Sequence, residues 1–299
     1  MKILLLGKNG QLGWELQRTL APLGPAAALD FEELNLEDFD AVRKTIRELR
    51  PQVIVNASAY TAVDRAESEP EKAYTINGKI PGIIAEECAA LNAALVHYST
   101  DYVFDGTKGA PYKEEDTPNP LSVYGRSKLA GEQAVQAVGG AYLILRTSWV
   151  YALRTSAGSL RGDNFVAKVL SWARQQETLR VVSDQIGNPT WARMLAEVTA
   201  LVCAKANNDI SGWMTERRGV YHLAGSGYAS RLDWARLILE LDPKRGEQVA
   251  QEILPSLTSD YPVPAQRPLF SALNCDLFSS TFHINLPGWE EALRLAMAA

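Results

Sequence analysis

Residues 3–13 read Ile3-Leu4-Leu5-Leu6-Gly7-Lys8-Asn9-Gly10-Gln11-Leu12-Gly13, an apolar run that leads directly into three glycines spaced three residues apart. This order predicts a buried strand, a tight turn and the start of a helix. The free N–H groups at such a helix N-terminus bind phosphate, and the glycines allow the turn, a close backbone approach and close packing of helix on strand. The stretch therefore indicates a dinucleotide site, although glycine-rich turns also begin helices for purely structural reasons.

The same alternation of apolar run and helical segment continues outward from this stretch. Apolar residues recur at helical spacing at Leu12, Leu16, Leu20 and Leu23, and again from Phe39 to Leu49. Pro51 ends the second of these helices. Five short apolar runs are predicted as strands: Ile3–Leu6, Ala26–Leu29, Val53–Val55, Leu95–Tyr98 and Leu143–Leu145. The pattern is typical of an α/β, Rossmann-like, doubly wound parallel sheet.

The second half of the chain has a looser rhythm. We predict a nucleotide-binding domain over residues 1–150, with a returning segment near 187–210, and a smaller mixed α/β lobe over most of residues 151–299. The polar stretch Tyr151–Asn164 is expected to be a boundary or an active-site flap. Helices are predicted near 165–175, 191–206 and 232–241, and a strand at Val220–Leu223.

Composition excludes several classes of protein. The chain has 299 residues, of which 46% are hydrophobic and 22% charged, which is a globular rather than a disordered composition. A net charge of −5 gives no positive field, so nucleic acid is not an expected partner. The apolar run at the N-terminus is too short for a signal or a membrane span, and a cytoplasmic location is expected. Cys88, Cys203 and Cys275 lack metal-ligand spacing and are expected to be inert thiols.

Asp30 ends the second predicted strand, about 20 residues beyond the glycines. An acidic residue at this place binds the adenosine ribose hydroxyls, and its carboxylate repels a 2′-phosphate. Asp30 therefore favours NADH, whereas the nearby Lys8 could still bind the 2′-phosphate of NADPH. The sequence alone leaves both cofactors open.

A second motif lies at residues 124–128, Tyr124-Gly125-Arg126-Ser127-Lys128. Positions i and i+4 share one face of a helix, so the Lys128 ammonium is expected near Tyr124, where it would lower the pKa of the phenol. Such a phenol can donate a proton to a ketone oxygen. Thr100, at the end of a predicted strand, can hydrogen-bond the same oxygen. Thr100, Tyr124 and Lys128 are thus the predicted catalytic residues.

Taken together, these motifs resemble the extended short-chain dehydrogenase/reductase family, in its sugar-nucleotide branch. The resemblance covers essentially the whole chain and is carried by Gly7–Leu16, Asn56–Glu67, His97–Phe104, Arg146–Tyr151, Asp184–Thr190 and Arg267-Pro268. It implies hydride transfer from NADPH or NADH to the C4 ketone of a dTDP-linked 6-deoxy-hexulose, giving dTDP-L-rhamnose for cell-surface polysaccharide. Related dehydratases carry Glu after Thr-Asp, whereas this chain has Tyr102, which favours simple reduction.

The resemblance also assigns roles to residues. Tyr124 is expected to donate the proton, and Lys128 to tune it and bind the ribose. Thr100, Asp101 and Trp149 are expected to contact the sugar nucleotide. Independently of the resemblance, Arg267 lies in a turn framed by prolines, from which its guanidinium could reach a nucleotide phosphate. Besides Tyr124 and Lys128, the expected cofactor residues are Gly7, Gly10, Gln11, Leu12, Gly13, Asp30, Asn35, Leu36, Ala59, Tyr60, Thr61 and Tyr98.

The chain departs from its relatives in a region linked to metal and assembly. Some relatives place a glutamate, linked to Mg²⁺ at a dimer interface, where this chain has Arg193, although Glu15 is present. We therefore predict no metal site, while binding of Mg²⁺ and a homodimer both stay open. Asn35-Leu36 replaces the acidic-apolar pair that relatives often have on the adenine side, and the loop Tyr151–Asn164 is longer than usual.

Alternative interpretations remain. The fold also suits another sugar-nucleotide reductase or an epimerase, and a eukaryotic relative acts as a non-catalytic NADP-binding regulatory subunit. His97, His222 and His283 share no ligand spacing, and the first two are expected to be packed inside strands. Five tryptophans of the second half are expected to serve mostly in packing: Trp172, Trp191, Trp213, Trp234 and Trp289.

Overall fold

The computed structural model describes residues 1–153, 164–206 and 209–298. Its centre is a sheet of six strands: β1 (Ile3–Leu6), β2 (Ala26–Leu29), β3 (Val53–Asn56), β4 (Ala94–Thr100), β5 (Ala141–Thr147) and β10 (Gly219–His222). They lie in the order β10-β5-β4-β3-β1-β2, and every neighbouring pair is parallel. The predicted α/β doubly wound fold is confirmed, and the five strands predicted in the first half all lie in the sheet.

Helices cover both faces of this sheet, as parallel sheets require. The helices of the described residues are α1 (Gln11–Leu20), α2 (Phe39–Leu49), α3 (Val63–Ala66), α4 (Pro70–Tyr74), α5 (Ile80–Leu91), α6 (Val123–Val138), α7 (Phe165–Ala173), α8 (Ala192–Lys205), α9 (Ile210–Glu216), α10 (Arg231–Glu240), α11 (Asp276–Phe282) and α12 (Trp289–Ala298). Alternate residues of each strand enter different cores. Leu5 packs with Leu16 and Leu20 of α1, whereas Leu4 packs with Val42 and Ile46 of α2.

Local sequence explains where the helices that flank the site begin. Asp38 caps α2, since its carboxylate accepts a hydrogen bond from the N–H of Ala41. Ser122 caps α6 in the same way through the N–H of Gly125, 3.1 Å away. The cap fixes the first turn of α6, and that turn carries Tyr124.

A smaller group of elements packs beside the sheet. Its strands form three two-stranded ladders: β7 (Thr178–Val182) with β12 (Glu252–Ser256), β8 (Ile186–Gly187) with β11 (Ala229–Ser230), and β6 (Val150–Tyr151) with β9 (Thr190–Trp191). Helices α7, α10 and α12 enclose a separate apolar core around Trp234, Tyr151 and Leu293. The strands and the helices together form a mixed α/β layer.

The structure corrects one placement in the second half. The strand predicted at Val220–Leu223 was expected in the smaller lobe, but β10 pairs with β5 in the main sheet. Helix α8 packs against α1. Of the predicted loop Tyr151–Asn164, residues 154–163 lie outside the described residues. Within the described ranges, no helix combines the length and the apolar character needed to cross a bilayer.

Candidate functional site

A cleft of about 620 Å³ opens where the loops after β1, β2, β3 and β4 meet helix α6. It lies at the carboxyl ends of the parallel strands, the usual ligand position in this class of fold. Residues predicted for the site and found on its wall are Gly7, Gly10, Gln11, Leu12, Asp30, Asn35, Leu36, Ala59, Tyr60, Thr61, Tyr98, Thr100, Asp101, Tyr124, Lys128 and Trp149. Gly13 and Arg267 lie outside this lining. The structure thus brings the predicted residues together, while their individual roles stay predictions.

The glycine loop is built so that its backbone faces the cleft. Gly7 has a φ of +85°, a left-handed conformation that favours glycine. Gly13 lies behind the loop, where an added Cβ would be 1.9 Å from the carbonyl oxygen of Gly7. The helix can therefore approach the strand only with glycine at this position.

The loop that carries Tyr60 is held by a buried asparagine. The Asn77 amide donates to the Tyr60 carbonyl at 3.0 Å and accepts from the Tyr60 N–H at 2.8 Å. It also donates to the Ser127 hydroxyl at 3.0 Å, which ties this loop to α6. Asn77 lies in a single π-helical turn, Thr75–Lys79, and such turns are common near functional sites. Sequence reasoning missed this residue, since nothing in its spacing marks it.

Thr100, Tyr124 and Lys128 meet at the floor of the cleft. Thr100 is the last residue of β4, and its hydroxyl accepts from the N–H of Tyr102 at 3.2 Å. Lys128, one helical turn after Tyr124, is 2% exposed and donates from Nζ to the carbonyl of Tyr98 at 2.6 Å. A strand end and the first turns of a capped helix therefore position the three side chains.

The ionisation of Tyr124 differs from the expectation. Burial raises the pKa of the phenol well above its ordinary value, and the Thr100 hydroxyl opposes this only in part. The prediction that Lys128 lowers the pKa of Tyr124 is wrong for the protein alone, because the Lys128 ammonium donates to the Tyr98 carbonyl instead. Burial lowers the pKa of Lys128 to about 8, against a smaller raising effect of Glu132. Tyr124 is therefore a protonated acid at neutral pH.

Asp101 is a buried carboxylate next to these residues. It accepts hydrogen bonds from the hydroxyls of Thr100 at 3.2 Å, Ser148 at 3.1 Å and Ser271. Burial raises its pKa to about 6, and the three hydroxyls limit that rise. Asp101 thereby connects β4 to the segment after β5 and to a distant part of the chain.

Trp149 stands between the cleft and a second cavity, and lines both. Its φ of +44° is unusual for a residue with a side chain. An added Cβ on Gly187 would lie 2.5 Å from Cε2 of the indole, so this glycine makes room for the ring. Trp149 therefore has a fixed orientation at the boundary of the two spaces.

The second cavity has a volume of about 980 Å³ and combines aromatic rings with cations. Its wall includes Phe165, Trp172, Trp234, Lys168, Arg180, Arg231 and Arg267. Trp172 and Trp234 were expected mostly to pack, and this expectation is incomplete. Arg267 lines the cavity, and its Nη2 donates to Asp64 at 2.9 Å; its contact with a nucleotide phosphate stays a prediction.

Arg231 is a residue that sequence reasoning missed. Its guanidinium lies 3.6 Å from the centre of the Trp149 ring, and within the described part of the chain it forms no ion pair with a carboxylate. Burial lowers its pKa to about 10, so it remains a cation at neutral pH. Arg231 is the first residue of α10, where the helix dipole disfavours a positive charge. This positive charge at a helix N-terminus is the feature by which the sequence could have indicated a role for Arg231.

The region linked to metal in some relatives holds an ion pair. Nε of Arg193 lies 3.4 Å from the nearly buried Glu15 carboxylate. Among the described residues, no group of three or more His, Cys, Asp or Glu side chains is arranged to hold a metal ion. Glu15 therefore already has a cationic partner.

The histidines and cysteines mostly behave as expected. His97 and His222 are fully buried in strands, and burial lowers their pKa values, that of His222 to about 3. Burial raises the pKa of the Cys203 and Cys275 thiols to about 12, and that of Cys88 further. The prediction that these two histidines are packed inside strands is confirmed, whereas the inertness of the thiols stays a prediction.

A dinucleotide-type cleft and a Thr-Tyr-Lys set at its floor define an extended short-chain dehydrogenase/reductase. The family model described as "RmlD substrate binding domain" matches residues 1–299. The dTDP-4-dehydrorhamnose reductase of Salmonella typhimurium is 46% identical over 295 residues, covering 97% of this chain and 95% of that protein. The chain belongs to the dTDP-4-dehydrorhamnose reductase family.

Two solved structures agree with this assignment. A dTDP-4-dehydrorhamnose reductase from Clostridium acetobutylicum superposes with a TM-score of 0.88 at 34% identity, covering 100% of this chain and 99% of that one. The enzyme from Bacillus anthracis, solved in complex with NADP, has a TM-score of 0.87 at 31% identity, with coverage of 99% and 98%. The similarity therefore extends over the whole length of the chain.

Proposed function

We propose that this protein reduces the C4 ketone of dTDP-4-dehydro-6-deoxy-L-mannose to dTDP-L-rhamnose, with NADPH or NADH as the reductant. The observation that carries the proposal is the position of Tyr124, Thr100 and Trp149. They lie at the floor and edge of the dinucleotide-type cleft, and Trp149 also lines the cavity with cations and aromatic rings. A cofactor in one space and a sugar nucleotide in the other would meet at these residues.

The cleft fits a nicotinamide dinucleotide. The glycine loop exposes backbone at the N-terminus of α1, which suits a pyrophosphate. Asp30 lies at one end for the adenosine ribose, and Lys128 lies at the other end for the nicotinamide ribose. When bound, the reduced cofactor supplies the hydride. The remaining predicted residues on the wall would bind and orient it.

Tyr124 is assigned the proton transfer. The phenol is protonated at neutral pH and can donate to the ketone oxygen as charge develops there, against the weakening of its acidity by burial, which raises its pKa. Lys128 holds an ammonium one helical turn away, which would favour the phenolate once the proton has left. The Thr100 hydroxyl, which donates to Asp101 at 3.2 Å, would turn its single hydrogen to the ketone oxygen when the substrate binds.

The second cavity is proposed to hold the nucleotide of the substrate. Aromatic rings such as Phe165 and Trp172 can pack against the base, and Lys168 and Arg231 can bind the diphosphate. Arg267 would be a further phosphate ligand. This division assigns cofactor binding to residues 1–150 with a returning segment near 187–210, and substrate binding mainly to residues 151–299. A homodimer stays a prediction.

The test is turnover by the purified protein. The dTDP-4-keto-6-deoxy-L-hexulose would be generated in situ and offered with NADH and NADPH in parallel, with the UDP-linked 4-keto sugar as a matched control for the base. We expect nicotinamide oxidation with the dTDP sugar and dTDP-L-rhamnose as the product. Cofactor binding without turnover would contradict the proposal and favour the regulatory-subunit interpretation. A different product sugar would favour another reductase or an epimerase.

A further inference from the structure

A lysine and a glutamate form an ion pair at the adenosine end of the cleft. Lys8 belongs to the glycine loop, and its Nζ contacts Oε1 of Glu33. The other carboxylate oxygen of Glu33, Oε2, accepts from the backbone N–H of Asp30 at 3.0 Å. Glu33 therefore connects the lysine of the loop to the end of β2, where Asp30 lies.

Asp30 is fixed at the same place by backbone donors. One of its oxygens accepts from the N–H of Asn9 at 2.8 Å, and the other accepts from the N–H of Phe31 at 2.8 Å. Asp30 and Phe31 line the cleft, whereas Lys8 and Glu33 lie beside it. The hydrogen bond from Lys8 lowers the pKa of Glu33, so the glutamate is ionised at neutral pH. One ammonium and two carboxylates thus lie at this end of the cleft, and the ammonium contacts Glu33.

We propose that Glu33 sets a preference for NADH over NADPH by holding Lys8 in this ion pair. A 2′-phosphate on the adenosine ribose would lie near the carboxylates of Asp30 and Glu33, and the nearby ammonium is already neutralised. A ribose with two free hydroxyls has no such repulsion, and Asp30 can accept its hydrogen bonds. The inference rests on the proposed function, because it assumes that the cleft binds a nicotinamide dinucleotide.

The rest of the cleft does not compensate for the excess of negative charge at the adenosine end. Among the described residues that line it, Lys128 is the only cation, and its Nζ donates to the Tyr98 carbonyl at the opposite end. Freeing Lys8 is therefore the change that would supply a cationic partner for a 2′-phosphate. Glu33→Gln frees Lys8 and keeps the shape of the side chain. Its amide oxygen can still accept the hydrogen bond from the N–H of Asp30.

The experiment is titration calorimetry of the full chain with NADH and NADPH, without substrate. For the unaltered protein we expect NADPH to bind at least about tenfold more weakly than NADH. Glu33→Gln should reduce this ratio of dissociation constants about fivefold, which corresponds to the free energy of an ion pair at a partly exposed site. Glu32→Gln is the matched control, since it removes one negative charge from the neighbouring exposed residue, and it should leave the ratio unchanged.

The double variant Lys8→Met/Glu33→Gln separates release of Lys8 from simple loss of charge. We expect it to lose most of the gain in NADPH affinity, because no ammonium is then available. Tighter binding of NADPH than NADH by the unaltered protein would overturn the inference. So would an equal gain in Glu32→Gln, or a gain that survives in the double variant. Binding of neither dinucleotide would overturn the proposed function together with the inference.

Discussion

The guanidinium of Arg231 lies 3.6 Å from the centre of the Trp149 ring. The Trp149 ring also stacks with the ring of Trp234 at a centroid distance of 5.7 Å. A cation held against the face of an aromatic ring is stabilised by the ring's negative face. The contact keeps a positive charge at the wall of the second cavity; among the described residues no carboxylate lies within ion-pair distance of Arg231, although the charge of Asp101 acts on it. The charge is therefore available to an anionic ligand.

Arg231→Gln should weaken binding of the sugar nucleotide. Losing a charge-assisted contact to a phosphate is expected to raise KM for the dTDP sugar about 10- to 100-fold. The Kd of the dinucleotide should change little, because Arg231 does not line the first cleft. Steady-state kinetics and calorimetry measure the two quantities. Arg236→Gln, on the exposed side of the same helix, is the control. A similar KM for both variants would argue against a substrate site here.

Lys128→Met should inactivate the protein and stabilise it. The buried ammonium has a pKa lowered to about 8 from 10.5, so holding it charged costs folding free energy below pH 8. Removing it should raise the free energy of unfolding by about 1–3 kcal/mol at pH 7, less the lost hydrogen bond to Tyr98. The gain should shrink as the pH rises from 8 to 10.5, where the unaltered lysine becomes neutral in both states.

Denaturant unfolding at pH 7 and pH 10 checks this prediction. Lys72→Met, at an exposed lysine on α4, serves as the control and should change stability little at either pH. The account is contradicted if Lys128→Met is less stable than the unaltered protein at pH 7, or if its gain grows at high pH.

Gly13→Ala should disrupt the glycine loop. Its new Cβ would lie 1.9 Å from the Gly7 carbonyl oxygen, so helix and loop must move apart. Such overpacking costs about 1–3 kcal/mol, and the displaced backbone should bind the dinucleotide more weakly. Gly246→Ala, where an added Cβ meets no atom within 4 Å, is the matched control. Thermal unfolding and dinucleotide calorimetry measure both effects, and normal cofactor affinity in Gly13→Ala would count against a phosphate site at the loop.

Much of the fold could be predicted because local patterns determine it. The apolar runs of β1, β3 and β5 are buried on both faces of the sheet, and that burial produces the runs seen in the sequence. The helical spacing of Val42 and Ile46 similarly records one buried face. The placement of β10 beside β5 could not be predicted in this way, because a strand's pattern does not say which sheet it joins.

The residues of the candidate site also fall into those that local patterns identify and those that only long-range contacts identify. Residues in short motifs, such as Thr100 and Tyr124, could be identified because their spacing reflects one strand end and one helix turn. Asn77 could not, since its role depends on contacts with distant parts of the chain, and Arg231 was marked only by its positive charge at a helix N-terminus. The ionisation of Tyr124 was predicted in the wrong direction because burial raises the pKa of the phenol while the Lys128 ammonium donates to the Tyr98 carbonyl, and both are properties of the folded protein.

The central claim is that Tyr124 donates the proton in ketone reduction, and single-turnover reduction of the dTDP-4-keto sugar tests it most directly. Tyr124→Phe removes one hydroxyl and should slow the step about 10²- to 10⁴-fold, with the fold and dinucleotide binding intact. Tyr102→Phe is the matched control, because its ring lies edge to face with Tyr124 at a centroid distance of 5.7 Å. We predict a rate near that of the unaltered protein for Tyr102→Phe. A Tyr124→Phe protein that reduces the sugar as fast as this control would contradict the account.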